Sequence, residues 1–533
     1  EVALEAKCGL SGTPAPKPGN GMDWWQLSRA FSYYHSYTPG WSNEMRRSFA
    51  AETGVRQTPY YAGYWQGGRR LEYNMMWCLL HDTKGISCWT TPLLVYPDFT
   101  LTEAGEDTRR LVHELRDGLW DAVRAGRRLQ DGIALHYSQP SINAALLLDH
   151  DSHIVQVRDA WVKLLEDLGL QYDFVAYKQV EAGALTRTPG CYRVFILPES
   201  IALSAREVDE IRRFVTAGGT VIADGWCGLM DERCVRHERP ALDEVFGVSR
   251  GEEVALGESV KVSARVAGKE TVLRIRPAET GVRTTGIPFG DSGGVPALVS
   301  SKMGKGQTWY LNLDLSSWPV DRQTRSPNEQ GLRDVVGNVL ASAGVRPPLR
   351  VTCASGKPAH VEVVRYELGG SGAGRDVVVG LLRNWDQEGD DIITASWGTE
   401  RHVYDLRAHK YLGKLGSVTT PMAAGECRLL FLTVTEINAP TLVLEPAKVL
   451  PGGTVRAIVR SGNSGAAPHL ARLEVIGPAG VPVPDYARSL RLQGQPIDVN
   501  FRLALNDPKG RWLVRVTDLA SGQTAQQAFT VGP

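Results

Sequence analysis

The stretch "SAREVDEIRRFVTAGGTVIADG", Ser204 to Gly225, decides the fold of the chain's middle, because it predicts a capped helix that leads directly into a strand. Ser204 stands at the position of an N-cap, and Glu207 follows three residues later, as in a capping box. Gly218 and Gly219 end the helix, and "TVIADG" then predicts a strand. A helix joined to a strand by so short a turn is typical of an α/β sheet.

The residues around this stretch repeat the alternation of strand and helix. An amphipathic helix is predicted for "HIVQVRDAWVKLLEDLGL", ending at Gly169, and a closing helix for "QGLRDVVGNVLASAG". Further strands are predicted for "GIALHYSQ", "QYDFVAY", "YRVFILPES" and "GKGQTWYLNLDLS", with an extended insertion at roughly 250 to 300. Residues 129–348 are therefore predicted to form a doubly wound open sheet.

The flanking regions predict different architectures. Residues 1–128 also alternate strand and helix, ending in one long helix from Thr102 to Arg128. A whole (β/α)8 barrel needs about 250 residues, so this region has room for half of one. Beyond residue 348 helical patterns disappear, and short strands predict two β-sandwiches, residues 349–436 and an immunoglobulin-like unit of residues 437–533.

Composition excludes several classes of function. The 59 basic residues balance 59 acidic ones without a basic stripe, so no nucleic-acid partner is expected. No apolar run approaches the roughly 20 residues of a membrane helix, so no membrane partner is expected. The 8 cysteines are scattered without a CxxC pair, which favours free thiols over disulfides and predicts no metal site.

The first residues, "EVALEAKCGLSGT", carry no basic segment followed by an apolar one and do not resemble a signal peptide. Their pattern predicts a strand followed by a glycine turn, as in the middle of a domain. We therefore expect the chain to be the C-terminal portion of a longer protein. Its localisation stays open between cytoplasmic and secreted.

Chemical motifs are few in residues 129–348. No GxGxxG follows the first strand, and no GxSxG or GxCxG elbow is present. "HYSQPS", His136 to Ser141, and Glu199 of "FILPES" lie at predicted strand ends, where ligands bind in such sheets. A polar connection and a loop carboxylate are the favoured interpretations of these two segments.

Aromatic side chains at the predicted strand ends of residues 1–128 suggest a sugar site. Rings pack against the C–H face of a pyranose, and polar edges bond its hydroxyl groups. The candidate substrate-binding residues are His35, Tyr37, Tyr64, Trp65 and Trp89. Interior packing is the competing interpretation, and it is favoured for Trp24, Trp25 and Trp77, which follow helical patterns.

Catalytic residues are unknown, and Glu44 is the one carboxylate carried as a candidate. It begins the helix after "SYTPGWSN", where the helix dipole alone is enough to favour an acid. Asp23, Glu72 and Asp82 are interpreted as a helix cap and two solvated groups.

The order of these segments resembles glycoside hydrolase family 42, the β-galactosidase-type enzymes. "GLSGT…NGMDWWQLSRAF…EMRRSF…TPYYAGYW…KGISCW" is similar to the second half of that family's barrel. "IALHYSQPS…DAWVKLLEDLGLQYDFV…FILPES…IRRFVTAGGTVIADG" is similar to its trimerisation domain. The resemblance implies that this domain is flavodoxin-like, akin to class I glutamine amidotransferases without their nucleophile, and that the chain forms a homo-trimer.

The sequence departs from the pattern of that family at "TPYYAGYWQGGRR", Thr58 to Arg70. The family's acid/base Glu would lie upstream of Glu1, and its nucleophilic Glu would fall near Ala62 or Gly63, where no carboxylate stands. The parent protein then uses a carboxylate from elsewhere, uses another mechanism, or is not an enzyme.

The resemblance thus implies the C-terminal part of a glycoside hydrolase that cleaves β-galactoside-type or related polysaccharide linkages and is inactive as this fragment. Its partner would be a carbohydrate substrate, and no cofactor is expected. The alternative is a non-catalytic carbohydrate-binding or assembly protein, a pseudo-glycosidase.

Overall fold

The fold was analysed in a computed structural model. It describes residues 9–13, 17–36, 40–58, 60–61, 67–88, 93–188, 190–251, 260–266, 268–292, 294–369, 375–387, 389–462 and 468–532. Within them the chain is a multidomain α/β protein with many β-sheets, as the sequence predicts. No helix in the described ranges is both long and apolar enough to cross a membrane.

The first unit, called here the N-terminal segment, alternates short parallel strands with helices. Its strands are β1 (Gly9–Thr13), β2 (Tyr33–Ser36), β3 (Arg56–Gln57), β4 (Tyr60–Tyr61) and β5 (Ser87–Cys88). Its helices are α1 (Trp24–Ala30), α2 (Trp41–Thr53), α3 (Gly68–Leu80), α4 (Glu103–Glu114) and α5 (Trp120–Arg124). Strands β1, β2 and β3 pair in parallel in that order, and β4 pairs in parallel with β5.

The long helix predicted for residues 102–128 is interrupted. A π-helical turn, Leu115–Leu119, separates α4 from α5, and Gly118 within it has φ 134°, outside helical geometry. A Cβ at Gly118 would overlap the Leu519 side chain, so this bend also allows close packing against the end of the chain. After α5, Arg127–Arg128 forms β6, which pairs with a strand more than 200 residues away.

The central sheet unit contains β7 (Ile133–Tyr137), β8 (Tyr172–Ala176), β9 (Val194–Leu197) and β10 (Thr220–Ala223). Strands β11 (Val248–Arg250), β12 (Val260–Val266), β13 (Lys269–Ile275), β14 (Val282–Thr284), β15 (Ile287–Pro288), β16 (Gly290–Ser292) and β17 (Val295–Pro296) follow. The last two strands are β18 (Leu298–Met303) and β19 (Gly306–Leu311).

Helices α6 (Gln139–Leu147), α7 (Asp151–Asp167), α8 (Tyr177–Glu181), α9 (Ala205–Ala217), α10 (Asp243–Phe246), α11 (Trp318–Thr324) and α12 (Pro327–Ser342) belong to the same unit. The main sheet has the order β15-β18-β19-β10-β9-β7-β8, parallel from β19 to β8. Both hydrogen bonds of the predicted capping box between Ser204 and Glu207 are present at the start of α9.

Two all-β units complete the chain. The first contains β20 (Arg350–Cys353), β21 (Val361–Gly369), β22 (Asp376–Arg383), β23 (Asp391–Asp405), β24 (Lys410–Met422) and β25 (Cys427–Thr433). The second contains β26 (Thr441–Glu445), β27 (Lys448–Val449), β28 (Thr454–Arg460), β29 (His469–Ile476), β30 (Arg488–Leu492), β31 (Ile497–Arg502), β32 (Gly510–Asp518) and β33 (Thr524–Val531). In the second unit, two sheets enclose one core around Trp512.

Gly306 provides a test of how tightly α9 packs on the central sheet. A Cβ added at this residue would overlap the carbonyl oxygens of Val215 and Gly219, which are backbone atoms and cannot rotate away. We expect Gly306→Ala to lower the free energy of unfolding by about 1–3 kcal/mol, measured by urea denaturation.

Gly416→Ala is the matched control, because nothing lies within 4 Å of a Cβ at Gly416. We expect it to change stability by less than about 0.5 kcal/mol. Equal effects of the two substitutions would contradict this account of the packing.

Candidate functional site

A cluster of histidine and carboxylate side chains lies at the carboxyl edge of the central sheet. Glu199 follows β9, Asp224 follows β10, and Asp314 follows β19. Because these strands are parallel, the residues that follow them meet at one edge, which is where open α/β sheets bind ligands.

Helix α7 brings two histidines to this edge. Its buried residues, including Ile154 and Trp161, pack in the core of the central unit. Helices α6 and α7 connect the parallel strands β7 and β8, and α7 leads into β8, so α7 runs back across the sheet and its first turn lies at the carboxyl edge. His150, at the N-cap of α7, and His153, in its first turn, therefore face Glu199.

The hydrogen bonds form a continuous chain. His150 Nδ1 lies 2.6 Å from Oε1 of Glu199, and His153 Nδ1 lies 2.9 Å from Oε2 of the same carboxylate. The other ring nitrogen of His153 lies 2.9 Å from Oδ1 of Asp314, which also pairs with Arg276. One carboxylate thus connects two imidazoles, and a second carboxylate holds the far side of one of them.

The surroundings of this cluster are rigidly packed. The indole of Trp226 stacks on His150 with ring centroids 3.9 Å apart. Asp224 accepts hydrogen bonds from Trp161 Nε1 at 2.6 Å and from the Glu199 backbone N–H at 2.5 Å. Glu199 and Trp226 have φ values of 40° and 68°, a backbone region that costs a non-glycine residue about 1–3 kcal/mol. Such local strain is typical of functional sites.

Electrostatics set the protonation of the cluster. Burial alone would lower the pKa of His153, but its hydrogen bonds to Asp314 and Glu199 outweigh burial and raise that pKa to about 10. Burial would raise the pKa of Asp314, but its contacts with His153 and Ser316 outweigh burial and hold that pKa well below its usual range. Burial raises the pKa of Asp224 to about 8. At neutral pH, His153 is therefore an imidazolium between two carboxylates.

Donor atoms of His150, His153 and Glu199 all lie within 4.8 Å of one another, so these three residues are able to hold a metal ion. The sequence-based prediction of no metal site considered only the spacing of cysteines, and this criterion does not detect two histidines and a glutamate. The one available signal was the pair His150-x-x-His153 at the start of a helix, which places two imidazoles on one face. Glu199, interpreted from sequence as a loop carboxylate, is almost completely buried.

His136 and Ser141, the other polar residues weighed at this edge, have structural partners. The ring of His136 bonds Ser200 Oγ and Glu207, both at 2.9 Å, and Ser141 Oγ bonds the Ala202 backbone. This agrees with the polar connection favoured from sequence.

The predicted sugar-binding residues fall mostly outside the described part of the chain. Tyr37, Tyr64, Trp65 and Trp89 are not among the described residues. His35 is buried in β2, with Nδ1 2.8 Å from the Thr58 carbonyl oxygen. Trp24, Trp25 and Trp77 are buried, as expected for interior packing.

Glu44 lies in a buried network of charges. Its carboxylate is 2.6 Å from Arg47, 2.7 Å from His81 and 3.0 Å from Arg128. Burial opposes ionisation, but Arg128, Arg47 and His81 together hold the pKa of Glu44 well below its usual range. A carboxylate that stays ionised cannot donate a proton as a general acid. Since its side chain is also 1% exposed and enclosed by three basic partners, the geometry favours a structural role for Glu44.

Comparison with known proteins identifies the class of the central unit. Residues 136–346 match the family model of the β-galactosidase trimerisation domain. No curated protein matches the chain by sequence.

Solved structures extend this likeness to most of the fold. A catalytic mutant of Gan42B, a GH42 β-galactosidase from G. stearothermophilus, has a TM-score of 0.58 and 15% identity over 79% of this chain and 63% of that one. The β-galactosidase from Bacillus circulans sp. alkalophilus has a TM-score of 0.55 and 16% identity over 77% and 62%. That from Rahnella sp. R3 has a TM-score of 0.55 and 14% identity over 79% and 63%.

The chain is thus a GH42-like protein, in agreement with the resemblance seen in its sequence. At these identities the likeness to the solved structures is one of fold. The chain spans slightly less than two thirds of their length.

The charge network around Glu44 makes a measurable contribution to stability. Glu44→Gln removes the buried carboxylate that pairs with Arg47, Arg128 and His81, and removal of one partner from a buried ion pair costs about 3–5 kcal/mol. We expect that loss in the free energy of unfolding, measured by urea denaturation.

The matched control is Glu106→Gln, which breaks a solvent-exposed pair with Arg109. We expect it to cost less than about 0.5 kcal/mol. A loss of similar size in both variants would contradict the claim that the buried network around Glu44 stabilises the fold more than an exposed ion pair does.

His81 gives the network a pH dependence. Burial lowers the pKa of His81, but the facing carboxylates Glu362 and Glu44 outweigh both burial and the nearby Arg128 and raise that pKa above its ordinary value. Because the pKa of His81 is higher in the folded protein than in the unfolded chain, protonation of His81 stabilises the fold. This contribution is complete below about pH 6.5, the pKa in the unfolded chain, and it is lost as pH rises through the pKa in the folded protein. We expect His81→Gln to be more destabilising at pH 6 than at pH 9 in urea titrations.

The ring of His81 also stacks on Trp77 at 3.8 Å, so part of the loss is independent of pH. A destabilisation that is constant from pH 6 to pH 9 would mean that only this stacking matters.

Proposed function

We propose that the chain is the C-terminal part of a family-42-type glycoside hydrolase that cleaves β-galactoside-type or related polysaccharide linkages. The observation that carries this proposal is the match of residues 136–346 to the trimerisation domain of β-galactosidases. The fold likeness to three β-galactosidases, each over more than three quarters of this chain, supports it.

The proposal assigns a role to each region. Residues 1–128 are the C-terminal half of a (β/α)8 barrel, and residues 129–348 are a flavodoxin-like, amidotransferase-like domain that forms a homo-trimer. Residues 349–436 and 437–533 are a small β-sandwich and an immunoglobulin-like sandwich. The parallel pairings of β1, β2 and β3, with α1 and α2 between them, support the barrel assignment.

Catalysis by such enzymes needs a pair of carboxylates at the mouth of the barrel. The described carboxylates in the first part of the N-terminal segment already have structural partners. Asp23 caps α1, Glu52 accepts from Gln179, Glu72 pairs with Arg407, and Asp82 pairs with Arg124. We therefore infer that the described residues of this segment supply no catalytic pair, and we keep His35, Tyr37, Tyr64, Trp65 and Trp89 as the candidate substrate-binding residues.

A non-catalytic carbohydrate-binding or assembly protein is the second candidate. The absence of a carboxylate from Thr58 to Arg70, where the family's nucleophile is expected, favours it. Without that nucleophile the covalent intermediate of a retaining glycosidase cannot form.

An activity assay separates the two candidates. The chain as it stands is expected to release no chromophore from an aryl β-galactoside. The protein extended upstream is expected to do so, provided that the added part of the barrel carries both an acid/base carboxylate and a second carboxylate in place of the one missing between Thr58 and Arg70. An extended protein that binds galactose but hydrolyses no aryl glycoside would establish the second candidate instead.

Sedimentation of the same samples is the control for folding. A trimer at micromolar concentration shows that an inactive sample is still assembled. A monomer would contradict the role proposed for residues 129–348.

A further inference from the structure

We propose that His150, His153 and Glu199 bind one divalent transition-metal ion, best matched by zinc, at the carboxyl edge of the central sheet. The site lies outside the N-terminal segment and does not rest on the proposed glycosidase function. Its donor atoms lie within 4.8 Å of one another.

The donors match zinc in kind and number. Two imidazole nitrogens and one carboxylate are a common set of three protein ligands in zinc sites that keep an open position. Imidazole donors favour zinc over calcium and magnesium, which prefer oxygen ligands. Both Nδ1 atoms already point at the Glu199 carboxylate, at 2.6 and 2.9 Å.

Only a small movement is needed to admit the ion. Ligand bonds of about 2.0–2.1 Å in a tetrahedron place neighbouring donors about 3.3 Å apart. The two nitrogens would move away from the carboxylate by less than about 1 Å, and the ion would replace the protons that they now donate to Glu199.

The outer contacts match those of a metal-bound histidine. A histidine ligand commonly donates its second N–H to a carboxylate, which fixes the ring and its tautomer. His153 makes this contact with Asp314 at 2.9 Å. The indole of Trp226 holds the ring of His150 in place by stacking, and Asp224 anchors the backbone N–H of Glu199. The three ligands are thus positioned before the ion arrives.

The ion can reach the site from solvent. The side chains of His150 and His153 are each 13% exposed, whereas Glu199 and Asp314 are 1% exposed. An ion bound here has protein ligands on its inner side and an open position toward solvent. Water or a small anionic ligand would occupy that fourth position.

Calorimetric titration with zinc chloride, after removal of metal by a chelator, tests the site. We expect saturable binding of one ion per chain. His150→Ala, which removes a ligand, should weaken binding at least 100-fold. Asp314→Asn, which keeps all three ligands, should weaken it about 10- to 100-fold, as is typical for an outer carboxylate. A purely structural hydrogen-bond chain would bind no zinc in any of these proteins.

His113→Ala is the matched control, since it removes an exposed imidazole on α4 and should leave zinc affinity unchanged. Thermal unfolding with and without zinc shows whether each variant is folded and whether zinc stabilises it. The melting temperature should rise with zinc in the unsubstituted protein and in His113→Ala, but not in His150→Ala. Absence of saturable binding up to 1 mM zinc, or equal affinity in His150→Ala and His113→Ala, would overturn the proposal.

Discussion

The arrangement of the units depends on the buried charges around Glu44. Glu44 comes from α2, His81 follows α3, Arg128 belongs to β6, and Glu362 lies on β21 of the first all-β unit. Gln171, just before β8 of the central unit, accepts from Arg128 and donates to Glu362 at 3.2 Å. Buried charges are tolerated only when they are paired, so this network is satisfied only when all three units are in place.

Two apolar cores also connect the N-terminal segment to its neighbouring units. Trp24, Tyr34, Met45 and Phe49 of the N-terminal segment share a core with the central sheet unit. Helix α3 and the helices after it share a second core with the first all-β unit, around Tyr366 and Phe431. The N-terminal segment therefore obtains its stability from both neighbours, and β6 joins it directly to the sheet of the all-β unit. This explains how a short set of parallel strands is held in a defined position.

Local features were predictable from the sequence, and long-range ones were not. The capping box of α9 and the apolar strands of the central sheet depend on neighbouring residues, so their pattern is visible in the chain. The cluster at Glu199 combines residues separated by 46 to 161 positions, and only the short His150-x-x-His153 spacing hinted at it. Glu44 was interpreted from the helix dipole alone, since its partners His81 and Arg128 lie 37 and 84 residues away. The break of the long helix at Gly118 likewise reflects packing against Leu519.

Hydrogen–deuterium exchange tests most directly the claim that the N-terminal segment is held by its neighbours. The network and the two shared cores predict that amides of α2 and α3 exchange only through the same cooperative opening as those of β9 and β10. Their protection should then be similar and should fall together in low urea. Exchange in α2 and α3 that is orders of magnitude faster than in β9 and β10 would show that the segment opens independently, and would contradict the account.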